Sequence, residues 1–526
     1  MTGKAKCTNA DMNAIILPGM GVKIKATAEE LFKRIRPTKT MFIRGGAVVV
    51  IVNNNGVLAM EVLEPAAARS RFESYAEFWI WRTGRGGISV LKPAIIAEQM
   101  ATALLESEEA RMLLPSITGL INCPVVIRTS DGVEVVPPGF HPATGLFITG
   151  GHPPPMVELS DAIAALLELI EEFEFQSPGD RSRALASFIT PALKLGGHIH
   201  GNIPADVAEA DKSQSGKTYR QRLVAAVYNE KAPLVTRRTG GVGSVDESLN
   251  SCLIAGHPFI QLDNFRGKLD SPHIEALLTA ERLFPVRIPY GREVMIDPSR
   301  FFLMVSSNGV ETTRDFANRS SIVRIRKRDG HKFRKYAEGD LLEHVRANQP
   351  RLLGAVFAIV REWINRGCPC SDEARHDFRE WVQKLDWIMQ NIFHAAPLMD
   401  GHQSAQERVS NPDLTFLRKL TLAVTNQNRL EESLTASKLY EIAESADVDI
   451  PGLREPDQDK GKLQIGSIMA RLFKASDSLS LDSFTVTRHD SEIERHDGGG
   501  TYPAKTYRFR REDESAGAQA QRTHNT

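Results

Sequence analysis

Cysteine is scarce in this 526-residue chain. Its five residues (Cys7, Cys123, Cys252, Cys368 and Cys370) are scattered, which excludes a disulfide framework and fits a reducing, cytoplasmic setting. Cys368-Pro369-Cys370 has no second pair at zinc-ligand spacing, so it reads as a loop after a helix. An excess of either charge is also missing. The 65 Lys and Arg balance 65 Asp and Glu, which excludes a globally basic nucleic-acid binder but leaves room for local basic patches. No apolar run reaches membrane-spanning length, and the first residues carry no signal-peptide apolar core, so no membrane partner is expected. At 42% hydrophobic and 25% charged, the composition is that of a soluble globular protein. The length calls for roughly three or four domains.

The pattern predicts a multidomain α/β chain. Residues 1–150 read as an α+β domain. Strands are expected at Ala47–Val52, Val57–Leu63, Cys123–Ile127 and Val133–Val136, with helices at Glu64–Trp81 and Lys92–Glu106. Gly150–Pro155 is a linker. Residues 156–197 form a helical collar. Its second helix opens with Ser177 as cap, Pro178 at the first position and Asp180 in the first turn, and is expected to stop near Thr190-Pro191. Residues 198–335 alternate strand and helix as an ATPase-type core, with an entering strand between His198 and Val207. Residues 336–428 are helical and their aromatics read as core. Residues 429–512 pair helices with two strands around Gly498–Gly500, a winged-helix-like pattern. The tail 513–526 is polar and expected to be disordered.

The chemistry concentrates after residue 210. Gly216-Lys217-Thr218 ends the run Asp211 to Thr218, which includes Ser213, Gln214 and Ser215. It reads as a phosphate-binding loop. Gly216 lets backbone approach a phosphate, Lys217 reaches the β- and γ-phosphates, and the Thr218 hydroxyl binds Mg²⁺. The helix that starts there adds free N–H groups and a positive dipole end. Phe259–Leu262 is a buried strand ending in Asp263, 46 residues after Lys217, placed to hold Mg²⁺ opposite Thr218. Phe301–Val305 is a second apolar strand running out to Asn308, a polar group able to orient an attacking water. Arg314 and Arg319 follow, either of which could stabilise the developing charge on the γ-phosphate of a neighbouring subunit.

In order and spacing these motifs resemble the ATPase core of AAA+ proteins, and more narrowly the superfamily-three-type helicase module of phage- and plasmid-encoded primase-helicases. The resemblance covers roughly half the chain. It implies ATP and Mg²⁺ as cofactors, a homo-oligomeric, hexameric ring, movement along single-stranded or forked DNA, and separate primase or replication proteins as partners. It casts Lys217 and Thr218 as phosphate and Mg²⁺ residues, Asp263 as the Walker B acid, Asn308 as the sensor and Arg319, before Arg314, as the finger. Two positions depart from the family. Asp211 replaces the first loop glycine, bringing negative charge near phosphates. Asn264 stands where many AAA+ proteins carry the glutamate that activates water, and asparagine cannot take a proton. Glu275 and Glu281 are the alternatives.

Arg314 to Tyr336 holds nine Lys and Arg against Asp315 and Asp329, which reads equally as a solvated face, an inter-subunit edge or a DNA-facing surface. Arg326 and Arg328 within it, with Arg266 and Lys268 after the Asp263 strand, are the candidate DNA contacts. Two other functions stay open: an AAA+ remodeller with a protein partner, and a degenerate nucleotide- or DNA-binding assembly platform.

Overall fold

The structure is a computed structural model. It describes residues 14–54, 57–84, 87–130, 132–151, 153–210, 216–235, 244–263, 268–281, 283–287, 293–308, 311–326, 334–453, 457–474, 476–481, 484–494 and 501–511. The chain divides into two compact units, residues 1–310 with 318–403, and residues 311–317 with 404–526.

The first unit is built on a six-stranded sheet. Along the chain its elements are α1 (Leu159–Glu171), β1 (Glu174–Phe175), α2 (Pro178–Leu195), β2 (Ala205–Ala210), α3 (Lys217–Val227), β3 (Leu234–Val235), α4 (Val245–Ala255), β4 (Phe259–Leu262), α5 (Pro272–Thr279), β5 (Phe302–Asn308), β6 (Ser320–Arg326), α6 (Leu341–Ala347), α7 (Gln349–Asn365) and α8 (Arg379–Asn391). The strand order is β1-β6-β2-β5-β4-β3. Five strands run parallel, and only β1 is antiparallel. From β2 the chain crosses to the far edge at β3, steps back through β4 and β5, then crosses β2 to β6. In open α/β sheets ligands bind at the carboxyl ends of strands where the order reverses in this way. Strand β4 and the first half of β5 are near-continuous apolar runs, as suits strands covered by helices. Phe259 and Phe302 from the strands, Leu223 and Val227 from α3, Phe188 from α2, Phe357 and Trp363 from α7 and Leu385 from α8 share one core.

Several boundaries differ from the sequence expectations. The helix expected over Glu64–Trp81 ends at Glu73, and Glu77–Thr83 is a strand, because Phe78-Trp79-Ile80-Trp81 favours a pleated, half-buried surface over a helix. The helix expected from Lys92 begins at Glu98, since Pro93 closes a preceding strand. Strand β2 spans Ala205–Ala210, so it starts at the end of the expected stretch His198 to Val207 and runs three residues beyond it. The irregular stretch before it is held by Lys194 Nζ, which donates to the carbonyls of Ile199, His200 and Gly201 at 2.7–3.1 Å. A hairpin of Phe284–Arg287 with Glu293–Ile296 was not expected from the pattern.

Helix α2 carries Pro191 in its interior and continues four residues beyond it. Its sequence predicts a stop there because proline removes an N–H and pushes on the preceding turn. Tyr228 explains the continuation. Its hydroxyl accepts from the Ala192 N–H at 3.0 Å and donates to the Phe188 carbonyl at 2.5 Å, bridging the groups that the intact helix would pair directly. Tyr228→Phe strands both in the core, and we expect a loss of about 1–3 kcal/mol, read as a lower urea midpoint. An unchanged midpoint would show that the bridge contributes nothing.

The expected helical layer over 336–428 is divided. Helices α6 to α8 share the core of the sheet, whereas Phe416, Leu417, Leu420 and Val424 belong to the core of the second unit. That unit packs α9 (Pro412–Asn426), α10 (Ala436–Ser445) and α11 (Gln458–Leu472) against an antiparallel sheet of β7 (Leu434–Thr435), β8 (Ser478–Leu481), β9 (Phe484–Glu494) and β10 (Thr501–Arg511), ordered β7-β10-β9-β8. Gly498–Gly500 and the tail 513–526 lie outside the described residues. No described helix is long and apolar enough to cross a membrane.

Candidate functional site

The carboxyl ends of β2, β4 and β5 bring the sequence-predicted residues together. Gly216 has φ 85° and sits at the N-cap of α3, a left-handed conformation that glycine adopts without strain. A Cβ there would also meet Phe173 Cε1 at 2.9 Å, so two independent constraints call for glycine. Lys217 and Thr218 open the helix. The Thr218 hydroxyl donates to Asp263 Oδ1 at 2.7 Å, the Ser306 hydroxyl donates to the same oxygen at 2.7 Å, and the two hydroxyls lie 2.9 Å apart. Two hydroxyls and one carboxylate thus converge from three elements. These are hard oxygen donors, and a single carboxylate with substrate phosphates is the usual protein share of a Mg²⁺ site. The residues present therefore fit Mg²⁺. Lys217 is 8% exposed. Burial lowers its ammonium pKa below the usual lysine range, and the nearby Asp263 charge works in the opposite direction.

Below the site, α3 is pinned to the sheet. Arg220, fully buried, pairs with Asp206 of β2 and donates to Ser187 Oγ at 2.7 Å. Gln221 Nε2 donates to the Asp206 carbonyl at 2.8 Å and the Val305 carbonyl at 3.2 Å, while its Oε1 accepts from Gln261 of β4 at 3.2 Å. One side chain thereby ties the helix to three neighbouring strands and fixes where Lys217 and Thr218 stand.

Ser306, Gln221 and Gln261 were not singled out from the sequence. A signal for Ser306 was present. Strand alternation puts it on the same face as Met304, one residue from Ser307 on the other face, and parallel pairing of Leu262 with Val305 sets Asp263 beside it. Asn308, the expected sensor, closes β5 opposite Ala210, the last residue of β2.

The arginines separate. Arg319 precedes β6, at the amino edge of the sheet; its carbonyl accepts from the Ala205 N–H at 3.0 Å, and its Nη1 donates to the Glu275 carbonyl at 3.3 Å. Six strand residues separate it from the phosphate-loop edge, about 20 Å at ~3.3 Å per residue, so it does not reach its own chain's site. Arg314 belongs to the second unit. Glu275 and Glu281 also lie toward the amino edge. The Glu275 carbonyl meets Arg319, and that of Ala280 accepts from Asn202, ahead of β2, at 3.0 Å. Neither glutamate stands at the Thr218–Asp263 cluster.

Of the candidate DNA contacts, Arg326 is exposed at the carboxyl end of β6, on the phosphate-loop edge, and donates to Gln176 Oε1. Lys268 opens the short strand Lys268–Leu269. Elsewhere in the basic stretch, Arg324 Nε is 3.7 Å from Glu209, and Arg334 Nη1 donates to Glu168 at 2.5 Å. Part of this charge is therefore matched within the chain. Asp211, Ser213, Gln214, Ser215, Asn264, Arg266 and Arg328 lie outside the described residues. Among the described residues no group of three or more His, Cys, Asp or Glu side chains could hold a metal ion by itself.

No protein-family model matches the chain, and no curated protein matches it. Solved structures do. The apo A form of the NrS-1 C-terminal region aligns with 91% of this chain and 98% of its own, at TM-score 0.36 and 10% identity. An SCCmec type IV Cch described as an active helicase aligns over 87% and 90%, at TM-score 0.31 and 11% identity. Likenesses this loose carry no argument about the site, whose chemistry is read from its own geometry.

Proposed function

We propose that this chain is a Mg²⁺-dependent ATPase acting on DNA, a helicase or translocase of a mobile genetic element that hydrolyses ATP at the subunit interfaces of a homo-oligomeric, hexameric ring. The observation that carries the ATPase reading is the convergence of Thr218, Asp263 and Ser306 beside Lys217, at the start of a helix and the reversal point of a parallel sheet. In this reading the N–H groups of the α3 start and the Lys217 ammonium hold the phosphates, Thr218 and Asp263 hold the Mg²⁺, Asn308 orients water, and Arg319 serves the site of the next subunit. Mg²⁺ would supply charge neutralisation on the β- and γ-oxygens. The choice of DNA rests on the order of the motifs, and the helices and antiparallel sheet of the second unit suit a winged-helix-like contact with DNA or with a neighbouring subunit.

One observation favours a second reading. Asn264 cannot take a proton, which suits a platform that binds nucleotide without turning it over. Turnover assays with and without single-stranded DNA, together with unwinding of a forked duplex, separate the possibilities. DNA-stimulated turnover with strand separation supports the helicase, turnover indifferent to DNA indicates a remodeller of protein partners, and ATP binding without turnover indicates the platform.

Ser306 supplies a local test. Ser306→Ala removes one hydrogen bond to the Asp263 carboxylate, and we expect the Mg²⁺ concentration for half-maximal turnover to rise roughly tenfold, the equivalent of ~1.5 kcal/mol. Saturating Mg²⁺ should restore most of the rate, and Ser306→Thr should behave like wild type. An unchanged Mg²⁺ dependence would remove Ser306 from the site.

A further inference from the structure

The amino-terminal region carries an apolar surface that the nucleotide site does not use. The strand Glu77–Thr83 lies between Ala14–Ile16, which runs parallel to it, and Ser89–Pro93, which runs antiparallel. Successive side chains of a strand point to opposite faces. Phe78 and Ile80 turn to one face and pack with Ile15, Leu31, Phe32 and Phe72. Trp79 and Trp81 therefore stand on the other. Register sets Ile16 and Pro93 beside Trp79, and Leu91 beside Trp81. None of these five is buried; Pro93 is exposed and the other four are half-buried. A sheet face left to water is normally polar, and this one carries two of the chain's five tryptophans.

The two indoles differ from those of the core. Trp363 and Trp381 are 1% and 2% exposed, and their ring N–H groups donate to the Pro369 carbonyl at 2.9 Å and to Thr190 Oγ1 at 3.1 Å. Among the described residues, the ring N–H of neither Trp79 nor Trp81 meets an acceptor.

The size of the face and the charge around it choose its occupant. Three strands span about 10 Å and five residues about 15 Å, a footprint of roughly 150 Å². A stable protein interface takes about 800 Å² from each partner, so this face is too small to hold a folded protein or a second copy by itself. It is large enough for two stacked bases. Arg82 and Lys92, on the same two strands, are exposed and have no acidic partner among the described residues. Alternation turns both toward the Ile80 face, but Arg82 lies past the last core residue of its strand and Lys92 lies on the edge strand, so both charges reach solvent at the rim. Glu77, the only acid of these two strands, sits at the far end, opposite Ala14. Positive charge at the rim of an aromatic platform suits a phosphate backbone with its bases turned inward. A duplex keeps its base faces stacked inside and offers none to the indoles.

We propose that this face is a DNA contact outside the ATPase core, on which bases of single-stranded DNA stack against Trp79 and Trp81 while Arg82 and Lys92 meet the backbone. Every base has an aromatic face, so binding there tolerates any sequence. The inference takes the DNA partner from the reading above but not the nucleotide site, and the test keeps the two apart.

The experiment is titration of the full-length chain, without nucleotide, with fluorescein-labelled oligo(dT) and with a duplex of equal length, followed by anisotropy and by tryptophan emission. Oligo(dT) should bind more tightly than the duplex and quench the emission. Trp79→Ala and Trp81→Ala should each weaken oligo(dT) binding roughly 5–150-fold, with an unchanged melting temperature and less quenching. Lys92→Gln should weaken binding less and flatten its salt dependence. Should an alanine variant melt low, Trp79→Leu or Trp81→Leu, which keeps apolar bulk and removes the ring, carries the test. Wild-type oligo(dT) affinity in both alanine variants, or in their leucine counterparts, overturns the inference alone. Loss of self-association in place of loss of DNA binding also overturns it, and would make the face a contact between copies. Absence of oligo(dT) binding by the wild type overturns the DNA reading together with the inference. Absence of ATP turnover bears on the ATPase reading alone, because no nucleotide is present in the titration.

Discussion

Lys217→Ala protein folds, binds ATP weakly and turns it over at least roughly 10²–10³-fold more slowly than wild type, the scale for removing one preorganised charge or donor from a transition state. The reason is local. Lys217 begins α3 and is buried as a residue, and burial lowers its ammonium pKa against the opposing charge of Asp263, so the ammonium is partly desolvated before any phosphate arrives. A charge in such a place acts at a lower effective dielectric than one in solvent. Alanine removes it without disturbing Gly216 or the Arg220 and Gln221 anchors that hold the helix. The melting temperature should therefore not fall, and steady-state turnover beside calorimetric ATP binding checks the expectation. A variant that melts like wild type and hydrolyses like wild type would place the phosphates elsewhere.

Arg319→Ala is expected to lose turnover by roughly 10³–10⁵-fold, the range for an arginine finger, while binding ATP normally. The strand register gives the reason. Arg319 lies at the amino edge of the sheet and the phosphate loop follows the carboxyl edge, so any catalytic contact must be with another subunit. Two inactive proteins should then rescue each other. In mixed assemblies, an Arg319→Ala subunit offers an intact phosphate loop and a Lys217→Ala neighbour offers an intact arginine. Recovery of turnover on mixing is the expected result. Normal turnover by Arg319→Ala alone would remove the finger from this position and return attention to Arg314.

What could be read in the sequence followed the strength of local pattern. Strands β4 and β5 were visible as apolar runs, and their ends were visible as Asp263 and Asn308, whereas β2, with Asp206 and Glu209 in its six residues, was placed too early. Ser177 and Pro178 announced the start of α2 correctly, because capping is a property of adjacent residues. Its end was misplaced because Tyr228, 37 residues beyond Pro191, repairs the break, and no window on the helix contains that tyrosine. The aromatic strand Glu77–Thr83 was absorbed into a helix for a related reason: its partners, Ala14–Ile16 and Ser89–Pro93, decide its state. At the site, Lys217, Thr218 and Asp263 carry a recognisable order. Ser306, Gln221 and Gln261 acquire meaning only once β5 is known to lie between β2 and β4, a fact of topology rather than spacing.

The most direct test is steady-state ATP hydrolysis by wild type and Lys217→Ala, each with Mg²⁺ and with and without single-stranded DNA. The expected result is Mg²⁺-dependent turnover in the wild type, raised by DNA and absent from the variant. Equal turnover by the two proteins, or none by the wild type under any of these conditions, would contradict an ATPase built on Gly216, Lys217, Thr218 and Asp263.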